Sequence, residues 1–120
     1  MAEVLALIDD LFFHAKVQET ARHVGVTLRI CSTQEALLAE FAKETPKLVL
    51  VDLNARSNPL GAIRQLQANG HAVPVTAFLS HVQTELAANA RAAGCSEVMP
   101  RSQFTRDLAT ILGRARSQPQ

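Results

Sequence analysis

Two short apolar runs, VLALI (Val4 to Ile8) and LVLV (Leu48 to Val51), constrain this chain more than any other feature. Neither run alternates with polar residues, so neither face of such a strand is suited to water. Strands of this kind belong to a parallel sheet covered on both sides. The second run passes directly into Asp52, a carboxylate at the end of a buried segment.

The segments between the runs change period. Phe13, Val17, Ala21 and Val24 recur at helical spacing, and Gly25 supplies a stop. VTLRIC (Val26 to Cys31) alternates as a strand does. Ser32 stands three residues before Glu35, a capping-box spacing, and Leu37, Leu38, Phe41 and Ala42 form the apolar face that follows. Pro46 ends that helix. NARSNP (Asn54 to Pro59) reads as a loop, and Leu60 to Ala68 as a weaker helix closed by Asn69-Gly70. VPVTAFLS (Val73 to Ser80) predicts a strand, Val82 to Ala93 an alanine-rich helix ended by Gly94, and Glu97 to Met99 a short strand. Phe104, Leu108, Ile111 and Leu112 mark a final amphipathic helix, with residues from Gly113 onward expected to fray.

The pattern is β-α five times over, with connections long enough for helical crossovers. It predicts a three-layer α/β domain with a five-stranded parallel sheet and flavodoxin-like topology. With 120 residues the chain suits one domain, 1–113, with a C-terminal tail at 114–120. The formal charge of +1 gives no electrostatic case for nucleic acid or an anionic membrane as partner. No stretch approaches the ~18 apolar residues of a membrane span, and the N-terminus lacks the basic start of a signal peptide. Cys31 and Cys95 have no metal spacing and suit a reducing compartment. The expectation is a soluble cytoplasmic domain.

Open parallel sheets place their ligand sites beyond the carboxyl ends of the strands. Asp9 and Asp10 follow the first strand, Asp52 and Asn54 the third, Ser80 and His81 the fourth, and Pro100 and Arg101 the fifth. Three carboxylates that crowd together raise one another's pKa. A hard divalent cation such as Mg²⁺ relieves them. The plainer readings are that strand-end acids cap the next helix, that Ser80 is an N-cap, and that Arg101 caps the last helix or pairs with Asp107. Ser80 and His81 do not make a nucleophile-base pair, because adjacent residues on an extended segment point apart. His14, His23 and His71 show no ligand spacing. Without a GxGxxG or a Walker lysine loop, a nucleotide-binding domain is the weakest reading.

The paired acids, the Asp after strand three and the hydroxyl after strand four resemble the receiver domain of two-component response regulators, over roughly Glu3 to Leu112. The resemblance implies that Asp9, Asp10 and Asp52, with the backbone carbonyl of Asn54, hold Mg²⁺. Either acid of the Asp9-Asp10 pair can be the one facing the ion. It implies that Asp52 accepts a phosphoryl group from a histidine kinase, with Ser80 sensing its oxygens. The module is then a signalling switch rather than an enzyme, and its output is contact with a protein target or a second copy. Three departures stand out. The stretch VMPRS lacks the family's Lys-Pro pair and puts Arg101 at the lysine's place. Val98 replaces the switch aromatic on strand five. Leu11, Phe12 and Phe13 stand where receivers carry polar residues, and only one of the two Phe side chains can face the core. If Arg101 pairs with Asp52 and fills the phosphate's place, the resemblance points instead to a pseudo-receiver, an interaction module without phosphoryl transfer.

Overall fold

The computed structural model describes residues 2–68, 70, 72–80 and 83–116, so the expectations for His71 and His81 lie outside it. Five parallel strands lie in the order β2-β1-β3-β4-β5. They are β1 (Val4–Leu7), β2 (Leu28–Cys31), β3 (Leu48–Asp52), β4 (Val75–Leu79) and β5 (Glu97–Pro100). Helices α1 (Leu11–Val24), α2 (Gln34–Lys43), α3 (Pro59–Ala68) and α4 (Thr84–Ala93) connect them, and α5 (Arg101–Arg106) and α6 (Leu108–Gly113) follow β5. The three-layer arrangement expected from the alternating periods is the one observed.

The period of two along each strand divides the core. Val4, Ala6 and Ile8 pack with Leu48, Leu50 and Phe78 under α1, α5 and α6, joined by Phe13, Val17, Phe104, Leu108 and Ile111. Leu5, Leu7, Val49 and Val51 face the other way, against Leu37, Phe41, Ile63 and Leu66 of α2 and α3 and Ala90 of α4. This two-sided burial is why the β1 and β3 sequences carry no alternation. Asp52 is in phase with Leu48 and Leu50, so the pleat turns its side chain to the α1 and α5 face. The register pairs Asp52 with Phe78, and Leu79 with Pro100. The carboxyl ends of the inner strands therefore meet at one rim.

Three local expectations change. The N-cap of α2 is Thr33, whose hydroxyl accepts from the Ala36 amide at 3.1 Å, and not Ser32. The final helix is two short helices broken at Asp107, whose φ of −99° and ψ of 10° leave the helical well. The chain also stays packed past Gly113: Ala115 is buried, and the Arg116 guanidinium donates to the carbonyl of Val24. No helix among the described residues is long and apolar enough to cross a membrane.

Candidate acidic site at the strand ends

Asp10 is the N-cap of α1, and its Oδ1 accepts from the amides of Phe12 and Phe13 at 3.0 and 3.3 Å. The plainer reading of a strand-end acid thus holds for one of its oxygens. The other oxygen, Oδ2, faces Arg101 Nη1 at 3.4 Å. Arg101 Nη2 lies 3.2 Å from Asp52 Oδ2. One guanidinium therefore joins the ends of β1, β3 and β5. The pairing of Arg101 with Asp107 does not form, and Asp107 instead lies 3.6 Å from Arg106 Nε.

Asp9 is held separately. The backbone amide of Arg56 donates to its Oδ2 at 2.9 Å, and Arg56 Nε lies 3.4 Å from the same oxygen. The amide bond, aided by the guanidinium, keeps this carboxyl below its ordinary 3.8 against a smaller opposing effect of burial. Asp52 is the reverse case. Its side chain is 2% exposed, and burial pushes its carboxyl above the ordinary value. The Asn54 amide, 2.9 Å from Oδ1, and Arg101 oppose that rise, while Asp9 and Asp10 add to it. Asp52 is thus the acid on which the charges of the other two bear.

Asn54 acts through more than its backbone. Its Oδ1 accepts from the Ser80 amide at 2.5 Å, and its Nδ2 donates to Gln83 Oε1 at 3.0 Å. It fastens the loop after β3 to the loop after β4. Ser80 is exposed, and its backbone amide joins the site through this bond.

Aromatic rings form the wall behind Arg101. Its guanidinium carbon lies 4.5 Å from the Phe13 ring centre and 5.5 Å from that of Phe78. Phe78 stacks on Phe104 at 4.2 Å and meets Phe13 edge-on at 5.4 Å. Desolvated cation-π contacts of this kind contribute on the order of 1–2 kcal/mol. Arg56, Phe13 and Phe78 were not legible as site residues, although the crowding of Phe beside the acid pair was a usable signal. Of that pair Phe13 is buried, while Phe12 is 92% exposed and Leu11 74% exposed at the pocket's edge.

The set Asp9, Asp10, Asp52 and Asn54 does not fit Mg²⁺ as arranged. Every one of the three carboxylates already has an arginine partner. Among the described residues no group of three or more His, Cys, Asp or Glu side chains is placed to hold a metal ion. A concavity of about 640 Å³ lies elsewhere, along edge strand β2, where Arg29 and Glu40 pair at 3.4 Å. It contains none of the strand-end acids.

A parallel sheet in this order, with acids beyond β1 and β3 and a cation beyond β5, has the flavodoxin-like fold of response regulator receiver domains. Solved structures share it across nearly the whole chain. A CheY-like response regulator receiver domain protein from Methanospirillum hungatei superposes with a TM-score of 0.83 at 16% identity, covering 95% of this chain and 92% of that one. The receiver domain of NtrX from Brucella abortus gives 0.80 at 20% identity, covering 93% and 96%. A BeF3-activated DrrB receiver domain gives 0.80 at 16%, covering 96% and 97%. Against a longer NtrX chain from Brucella abortus, this chain spans 27% of the length. At such identities the likeness is one of fold. No family model matches the sequence, and no curated protein matches it either.

Proposed function

We propose that this chain is a receiver-type signalling module that acts through protein contact and does so without phosphoryl transfer. The observation that carries this reading is the pairing of Arg101 with both Asp52 and Asp10. A guanidinium in that place presents two N–H groups to two carboxylates, where a phosphoryl acceptor needs open space for in-line attack. Two surfaces support contact as the output. Leu11 and Phe12 form an apolar projection beside the acids. A cleft of about 130 Å³ between α4 and β5 is lined by Leu79, Ala87, Val98 and Met99. The module is not itself an enzyme in this reading, and it belongs in the cytoplasm with other receiver-type domains.

Incubation of the whole chain with Mg²⁺ and acetyl phosphate tests this by intact mass. The expected outcome is an unchanged mass. Gain of one phosphoryl group that Asp52→Asn abolishes would overturn the reading. It would install the second one, in which a histidine kinase phosphorylates Asp52 and Ser80 and Arg101 reorient. What favours that alternative is the convergence of Asp9, Asp10 and Asp52 on a single rim, beside the anchored Ser80 amide.

A further inference from the structure

Resting on the arginine-closed reading, we infer that Arg101 is the resident cation of the acid pocket and that its fixed charge keeps divalent ions out. The charge balance leads there first. Three carboxylates face two guanidiniums, those of Arg56 and Arg101, and one net negative charge remains. A dication entering that pocket meets a fixed positive charge between the two acids it needs. Without Arg101 two negative charges remain, the complement of one divalent ion. Arginine is also the residue least able to yield, since its guanidinium does not shed a proton to make way for a metal as an amine does.

Packing fixes the guanidinium in place. It lies against Phe13 and Phe78, and those rings are themselves locked with Phe104 in the buried cluster under α5. Because the β3-β4 register sets Asp52 beside Phe78, the anion and the aromatic wall hold the cation from adjacent sides. Arg101 Nε is buried and has no hydrogen-bond partner among the described residues. An orphaned donor is unfavourable. It is tolerated here because the other two nitrogens have carboxylates to face. Asp9 is engaged by the loop through Arg56, whose side chain is 90% exposed and able to swing into solvent. Arg101, with a side chain 27% exposed, is therefore the barrier, and Arg56 is not.

The test is Mg²⁺ binding to the full chain, by calorimetry and by the Mg²⁺ dependence of Tm. The wild type is expected to bind weakly or not at all. Arg101→Gln is expected to bind about tenfold or more tightly, since the repelling charge is gone. Adding Asp52→Asn to that variant is expected to abolish the gain. A folded Arg101→Gln variant that binds no better than the wild type overturns the inference. If the variant does not fold, the wild-type protein decides the matter by NMR. An Arg101 Nε–H resonance unmoved by millimolar Mg²⁺ supports the resident cation, and one displaced by it overturns it. Wild-type Mg²⁺ binding without mass gain in acetyl phosphate sinks this inference alone. Mass gain with the Arg101 resonance unmoved sinks the functional reading alone.

Discussion

At Asp52, two opposing effects meet on one carboxylate. Burial disfavours its charge more than the Asn54 amide and Arg101 favour it, so the folded chain binds this proton more tightly than the unfolded chain does. Stability from this group is therefore fully present below the ordinary 3.8 and is lost as pH rises through the raised folded value. Asp9 runs the other way. Its lowered carboxyl contributes stability above 3.8 that is lost as pH falls through the depressed value. Denaturation across pH separates the two. Asp52→Asn is expected to flatten the decline on the alkaline side of 3.8. Asp9→Asn is expected to flatten only the acid side. The neighbouring Phe pair gives a second contrast. Phe13 carries Arg101 and fills the core, so Phe13→Ala is expected to cost about 3–5 kcal/mol in urea unfolding. Phe12 is almost wholly exposed, and Phe12→Ser is expected to stay within about 0.5 kcal/mol.

Among the elements, what the sequence made legible follows from how local each cause is. VLALI and LVLV announce buried parallel strands because burial on both faces leaves a mark within five residues. Asp9, Asp10, Asp52 and Arg101 follow as rim residues once those strands are placed. The clamp of Arg56 on Asp9 was not legible, because a loop turn between Asn54 and Pro59 delivers it and no periodicity records that turn. Nor was the ring wall, since the contact of Arg101 with Phe78 depends on the β3-β4 register. The start of α2 shows the same limit at one residue. Ser32 and Thr33 both have the chemistry of an N-cap. Thr33 takes the role in an extended conformation, while the neighbouring Gln34 amide is fixed by Ser57 Oγ from the distant loop at 2.8 Å. Thr33→Ala is therefore expected to lower stability by about 1 kcal/mol. Ser32→Ala, at an exposed position, is expected to change it by less than about 0.5 kcal/mol. Urea midpoints of the two variants, at unchanged slope, check the pair.

For the whole molecule, the polar composition after Gly113 conceals how the two ends of the fold are fastened. Arg114 Nη1 reaches Glu97 at the start of β5 at 2.6 Å, Ala115 sits 1% exposed in the core beneath α1 and α6, and Arg116 Nη1 donates to the Val24 carbonyl at 3.2 Å. The last contact satisfies a carbonyl at the end of α1, where a cation also suits the helix dipole. These contributions are unequal. The Arg114-Glu97 pair is about half exposed on both sides and adds little, ~0–1 kcal/mol after solvent screening. Burial of Ala115 and the bond from Arg116 each add about 1 kcal/mol. A chain ending at Gly113 is therefore expected to be less stable than one ending at Arg116 by about 1–3 kcal/mol, with the same far-UV circular dichroism. Because the sheet and every buried residue of its core except Ala115 precede Gly113, the shorter chain should still unfold in one transition. Equal urea midpoints for the two chains would mean that the segment is a tail after all and that the domain ends with α6. A lower midpoint for the shorter chain would place the boundary of the folded unit at Arg116 or beyond.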